Sequence, residues 1–293
     1  MAMVPLTGAE VPAAEAPTGP SLAAKIDNHP AARPQVGLSQ ADLVYEELVE
    51  GGLTRYVAVW HSAVPAEVGP IRSIRPMDPE IVAPLGGIIA YSGGRPPFVA
   101  MMQATEVHNA IHGGADDRFM FRTRDRRAPH NVLLRAPEIV AEYTELAPPA
   151  PQFTYAAQPT APAAGVSAAG IDADFSREST RQWRWDAASG TYLRSQRGAA
   201  DADASGARIA ATNVVTLHVQ IDWSYGDVPR TVVVGSGEAW VSTGGSVVTA
   251  TWQKDAQASR IVLLDGAGQE VALAPGNTWI ELVPTSGAVR IVE

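Results

Sequence analysis

Between Ala24 and Arg75 the chain sets Asp27, Asp42, Glu46 and Glu50 among Arg33, Arg55, Arg72 and Arg75, in stretches otherwise rich in Val, Leu, Tyr and Trp. Carboxylates beside arginines in a partly buried setting can work as acid and base, because burial and charge separate their pKa values. The arginines suit another task, since a guanidinium fork captures carboxylate or phosphate bidentately. The same residues can also form a satisfied structural ion-pair network, the commoner arrangement. A second polar stretch, Phe119 to Asn131, carries Arg122, Arg124, Arg126 and Arg127 and closes on Pro129-His130-Asn131 before an apolar run. Candidate acids and bases are therefore Asp27, Asp42, Glu46, Glu50 and His130. Candidate ligand-holding residues are Asn28, Arg33, Arg55, Arg72, Ser73, Arg75, Gly93, Gly94, Arg126 and Asn131.

The elements that position these residues follow from local pattern. Leu43–Glu50 and Leu53–His61 are β-rich runs joined at Gly51-Gly52, which predicts a hairpin with a two-residue turn. That turn pairs Glu46 with Val57 and puts Glu46, Glu50 and Arg55 on one face, with Thr54, Tyr56 and Trp60 on the other. A helix over Ser39–Glu50, capped by Ser39 and stopped at Gly51, is the competing reading. Gly69-Pro70 feeds Ile71 to Arg75, with Arg72 predicted off the face of Ile71, Ser73 and Arg75. Asp78 caps a helix with Pro79 in its first turn. Gly87–Tyr91 is a predicted strand, Ser92-Gly93-Gly94 a tight turn and Pro96–Ala104 a helix, and such a helix start can hold an anion. The spacing matches neither a phosphate-binding P-loop nor a nucleophile elbow.

With 293 residues and 46% hydrophobic content, the chain is long enough for two cores. A net charge of -9 with scattered basic residues argues against nucleic acid as a partner. The absence of cysteine excludes disulfides, thiol catalysis and thiolate metal sites within these residues. His108 and His112 have i,i+4 spacing but no partnered glutamate between them, so no metal is assigned, and no cofactor is implied. The proline- and alanine-rich segment 148–170 reads as a semi-rigid linker. Residues 1–20 read as a flexible tail, 21–147 as a mixed α/β domain carrying the polar site and 171–293 as a mainly-β domain. The expected fold class is thus an α+β N-terminal domain followed by a mainly-β C-terminal domain, a small sandwich or open barrel.

Longer motifs carry a resemblance. Ile26-Asp27-Asn28-His29, Ala32-Arg33-Pro34-Gln35, Ala41 to Glu46, Val49-Glu50-Gly51-Gly52, Thr54-Arg55, Gly69 to Ser73 and Ala128-Pro129-His130-Asn131 resemble the YerB-like bacterial lipoproteins, the DUF3048 family. Tyr192-Leu193-Arg194, Ala211 to Val215, Gly235-Ser236-Gly237, Thr251-Trp252 and Gly276 to Ile280 extend the resemblance through the second half. It implies an exported protein tethered through a lipidated cysteine, so the chain reads as a mature ectodomain with its anchor trimmed off. The family name brings no established activity. One departure stands out: the family tends to have Pro-His before an Asp where this chain has Ala199-Ala200-Asp201.

Two functions from different classes follow. The preferred one is an extracytoplasmic binding module that takes an anionic envelope ligand or envelope protein through the Arg/carboxylate site, touching the membrane only through its anchor. The alternative is a hydrolase or transferase acting on an envelope glycan or a phosphate-linked precursor.

Overall fold

A computed structural model describes residues 1–158 and 161–293. Pro159 of the expected linker lies outside them. In the first half, β1 (Leu22–Asp27), β2 (Leu43–Leu48), β3 (Thr54–Trp60), β4 (Ile88–Tyr91) and β5 (His108–Ile111) alternate with helices α1 (Asp78–Val82), α2 (Pro96–Gln103) and α3 (Ala136–Glu142). The second half contributes β6 (Val166–Ser167), β7 (Gly170–Asp174), β8 (Thr180–Asp186), β9 (Thr191–Gln196), β10 (Asn213–Tyr225), β11 (Gly235–Thr243), β12 (Ser246–Lys254), β13 (Thr278–Pro284) and β14 (Ala288–Val292).

The molecule is mostly β, at 43% strand and 11% helix, which corrects the expected α+β N-terminal domain. The predicted helices at Asp78 and Pro96 form, but each is short: α1 has five residues and α2 eight. The apolar run directly after Asn131 begins as the strand Val132–Arg135, and α3 starts only at Ala136. Pro and Gly recur too often here for longer helices, and both α1 and α3 have Pro in the first turn, where it costs no intrahelical bond.

The two halves share a sheet. Its order runs β6-β12-β11-β10-β13-β2-β3-β1-β4-β5. Strand β13, nearly at the chain's end, lies parallel to both β10 and β2, pairing Glu281 with Glu46. The second half therefore does not form a separate small sandwich or barrel. Strands β9, β8, β7 and β14 make a second sheet. Trp183 and Tyr192 from that sheet join Val44, Tyr56, Ala58, Trp60 and Trp279 in one core. The opposite face of the large sheet, with Leu43, Tyr45, Val57 and Val59, packs against Ile81, Phe98 and Met102 of α1 and α2. Both faces of β2 and β3 are covered, so every residue of these two strands is buried.

The N-terminal residues are not a loose tail. Ala2–Met3 pairs with Glu10–Val11, and Leu6 is fully buried while its carbonyl accepts a hydrogen bond from Tyr155 Oη at 2.5 Å. Tyr155 also anchors the start of the 148–170 segment, where Phe153 is buried and Gln152 Nε2 donates to Pro84 O at 3.1 Å.

The hairpin forms, but with a register one residue away from the predicted one. Glu46 faces Tyr56, Glu47 faces Arg55 and Leu48 faces Thr54. The link runs from Val49 to Leu53, closed by Val49 N donating to Leu53 O at 2.8 Å, with Gly51 and Gly52 both at φ 71°. A slip of one residue exchanges the faces. Glu46 consequently sits with Thr54 and Tyr56, and Arg55 lies on the opposite face with Glu47.

Candidate functional site

Because of that slip, the charged residues form separate groups. The first is an open cleft of about 220 Å³ lined by Asp27, His29, Val49, Glu50, Leu53, Thr54, Arg55, Arg72 and Arg75. Asp27 ends β1 directly opposite Arg55 of β3. The Ile71 to Arg75 segment is not a regular strand, so Arg72 and Arg75 both reach the cleft instead of pointing apart as predicted.

Arg72 Nε stands 3.0 Å from Asp27 Oδ2, and Arg75 Nε donates to Glu50 Oε2 at 2.8 Å. Arg55 has no carboxylate within ion-pair distance among the described residues. Its Nη1 donates to Ser73 O at 2.7 Å, and only 8% of the residue is exposed. Burial, with Arg75 and Arg72 close by, pulls its pKa down to about 10. A guanidinium with positive neighbours and one carbonyl partner is short of negative charge.

Histidines edge this cleft. Asp27 Oδ2 is 2.6 Å from His130 Nδ1, and the rings of His29 and His130 stack with centroids 4.4 Å apart. Asp27 Oδ1 also accepts from the His29 backbone N–H at 3.0 Å. One carboxylate thus orients an imidazole, an arginine and a turn.

The second group is sealed between the halves. Glu46 is fully buried; its Oε1 is 2.6 Å from Arg181 Nη2 and its Oε2 is 2.5 Å from Arg194 Nη2. Thr54 Oγ1 donates to Glu46 at 2.6 Å, and Arg194 also pairs with Asp201. Arg194 sits over the Trp279 ring at 4.6 Å, while Trp183 Nε1 donates to Glu281 Oε1 at 2.7 Å. Burial works to raise the Glu46 carboxyl, but Arg181 and Arg194 outweigh it and hold it at about 2. Burial and the Glu46 charge push neighbouring Glu281 up to about 8. A third buried group joins Lys25 to Glu47 and to Asp78, the latter at 2.7 Å. Burial and Asp78 raise Glu47 to about 8.

Of the predicted residues, Asp27, Glu50, Arg55, Arg72 and Arg75 converge on the cleft, with His130 bound to Asp27 and the Ser73 carbonyl holding Arg55. Gly93 O accepts from Ile74 N at 3.1 Å, so the Gly93-Gly94 turn braces the Ser73–Arg75 segment from behind. Glu46 is not with them. Asp42 is elsewhere too, accepting from the His61 and Ser62 backbone N–H groups at 2.7 Å each. Asn28 joins the sealed group through Thr54 Oγ1 at 2.8 Å and Gln196 Oε1 at 3.0 Å, and Arg33 Nε donates to Asn28 Oδ1 at 2.9 Å. Asn131 bonds Arg122 and Thr123, and Arg126 bonds Pro34 O, so both shape their loops.

Sequence reasoning missed His29, Lys25, Glu47 and Asp78, and all of Arg181, Arg194 and Glu281. A signal existed for Lys25, one of only two lysines, placed inside an apolar strand. Arg181, Arg194 and Glu281 share their strand faces with Trp183, Tyr192 and Trp279, and that parity was the signal for buried charge. Among the described residues no group of three or more His, Asp or Glu could hold a metal, and no helix is long and apolar enough to cross a membrane.

A family model described as the N-terminal domain of a protein of unknown function, DUF3048, matches residues 6–148, and its C-terminal counterpart matches 171–280. The chain belongs to the DUF3048 family. YerB of Bacillus subtilis, whose name classes it as a lipoprotein, is 26% identical over 281 residues, spanning 92% of this chain and 83% of YerB. The crystal structure of Bacillus subtilis YerB matches with a TM-score of 0.86 at 23% identity, covering 99% of this chain and 100% of that one, which establishes a shared fold. The DUF3048-like motifs around Asp27, Glu50, Arg55, Arg72 and His130 are far apart in sequence yet meet at the arginine cleft. Asp201, preceded by Ala199-Ala200, is a second carboxylate partner of Arg194 beside Glu46.

Proposed function

We propose that this DUF3048 protein works outside the cytoplasmic membrane, tethered by a lipid anchor, and binds an anionic envelope ligand in the cleft of Arg55, Arg72 and Arg75. The single observation that carries the ligand reading is Arg55: nine-tenths buried, flanked by two other arginines, and lacking a carboxylate of its own. Charge-assisted hydrogen bonds to an incoming oxyanion would supply what the fold withholds. The lipoprotein name of YerB supports the location. The anchor itself would lie beyond these residues, which contain no cysteine.

Isothermal titration with inorganic phosphate as probe tests the site. Arg55→Gln should weaken binding about ten- to a hundredfold, the value of one charged hydrogen bond of about 1.5–3 kcal/mol. Unchanged affinity in that variant would remove the cleft from consideration.

The Asp27–His130 contact favours a second reading, a hydrolase or transferase in which an oriented imidazole moves a proton beside a bound phosphate. Turnover of bis(4-nitrophenyl) phosphate by the full chain, abolished in His130→Ala, would support it. No turnover above buffer would leave binding alone.

A further inference from the structure

The pairing pattern inside the cleft limits the charge of what it holds. Three guanidiniums face two carboxylates. Arg72 is paired with Asp27 at 3.0 Å and Arg75 with Glu50 at 2.8 Å, so one positive charge, Arg55, has no counterpart. Asp27 is 2% exposed and held by three partners, so it cannot swing away to admit extra negative charge. We infer that the cleft is matched to one singly charged oxyanion, a carboxylate or a phosphodiester, seated at Arg55. The inference rests on the anion-binding reading and narrows it.

Three features support the match. Ser73 O takes one N–H of Arg55 and so orients the guanidinium plane. A second negative charge on the ligand would face Asp27 and Glu50 across the same small space, where like charges repel. The volume of about 220 Å³ falls below the roughly 300–1,000 Å³ of pockets that enclose whole small molecules. It fits a charged group whose remainder stays outside, as on a polymer or a chain end.

The test is titration calorimetry of the full chain at low ionic strength and pH 8. The probes are acetate, dimethyl phosphate, inorganic phosphate and diphosphate. Both monoanions should bind, and neither phosphate nor diphosphate should bind more than about threefold tighter than the better monoanion. The ratio between acetate and dimethyl phosphate then assigns the oxyanion. Glu50→Gln leaves Arg75 uncompensated, so inorganic phosphate should gain about tenfold over dimethyl phosphate in that variant. Wild-type preference for diphosphate or phosphate by tenfold or more would overturn the charge match while leaving anion binding intact. Binding of none of the four probes, or equal binding by a folded Arg55→Gln variant, would instead sink the anion-binding reading beneath it.

Discussion

Replacing Glu46 by alanine should be among the most damaging single changes in this protein. Its carboxylate is the shared partner of Arg181 and Arg194, which are 1% and 0% exposed, and it accepts a hydrogen bond from Thr54 as well. Removing one partner of a buried pair strands the other charge, at about 3–5 kcal/mol. A carboxyl held at about 2 against an ordinary 4.5 corresponds to roughly 3 kcal/mol at neutral pH, in the same range. At roughly 2–4 °C per kcal/mol, the midpoint should fall by about 6–20 °C. Glu281 offers partial relief: burial still raises its carboxyl, but with the Glu46 charge gone it ionises more readily 4.0 Å from Arg194 Nε. Glu281→Gln should therefore cost only about 1 kcal/mol in the wild type near pH 5, where the amide oxygen can still accept from Trp183, and less as pH rises and the raised carboxyl becomes a burden. On top of Glu46→Ala it should cost clearly more. Urea unfolding followed by tryptophan fluorescence suits the measurement, because Trp183 and Trp279 flank Arg194. A Glu46→Ala loss under about 1 kcal/mol, or additive costs in the double variant, would refute the reasoning.

The remaining predictions concern pH, Arg55 and the connecting segment. Glu281 and Glu47 both have folded pKa values raised to about 8, so between the unfolded carboxyl range and pH 8 the folded chain holds protons that the unfolded chain releases. Stability should be fullest near pH 4–5, fall as pH rises through neutrality, and level off above about 8. Urea midpoints from pH 5 to 9 check this; Glu281→Gln and Glu47→Gln should each flatten the slope, and a flat wild-type profile contradicts the assignment. Arg55→Gln should change stability by less than about 1 kcal/mol, because it strands no carboxylate, loses one bond to Ser73 O and relieves repulsion from Arg72 and Arg75. A larger loss by thermal melting would mean that Arg55 is structural. Limited proteolysis should cut after Tyr155 and before Gly170, yet the two fragments should co-elute on size exclusion, since β13 is hydrogen-bonded to β2 and β10 at once. Separation of the fragments would show that the shared sheet is weak.

Local sequence determined a good deal. The β-rich runs on either side of Gly51-Gly52 pair as a hairpin, as their composition favours over the competing helix, whereas the alternation expected for Ile71–Arg75 gives way to an irregular arm. The local sequence singled out Asp27, Glu50, Arg55, Arg72, Arg75 and His130 as candidates, and the fold brings them to one cleft. Tertiary structure decided which charge meets which. Whether the glycines make a two-residue turn or part of a five-residue link is nearly neutral locally, since both adopt left-handed φ in either case. Yet that choice flips every side chain on β2 and sends Glu46 away from Arg55. Its true partners lie 135 and 148 residues onward in β8 and β9, in strands whose alternation reads as ordinary sheet. The proline-alanine segment pointed to two halves, but nothing local showed the single sheet that runs through both. Strand β13 joins it by parallel pairing with β2, a contact between residues more than two hundred positions apart. Such pairing depends on backbone hydrogen bonds and shape at long range, and no local pattern of residues encodes it.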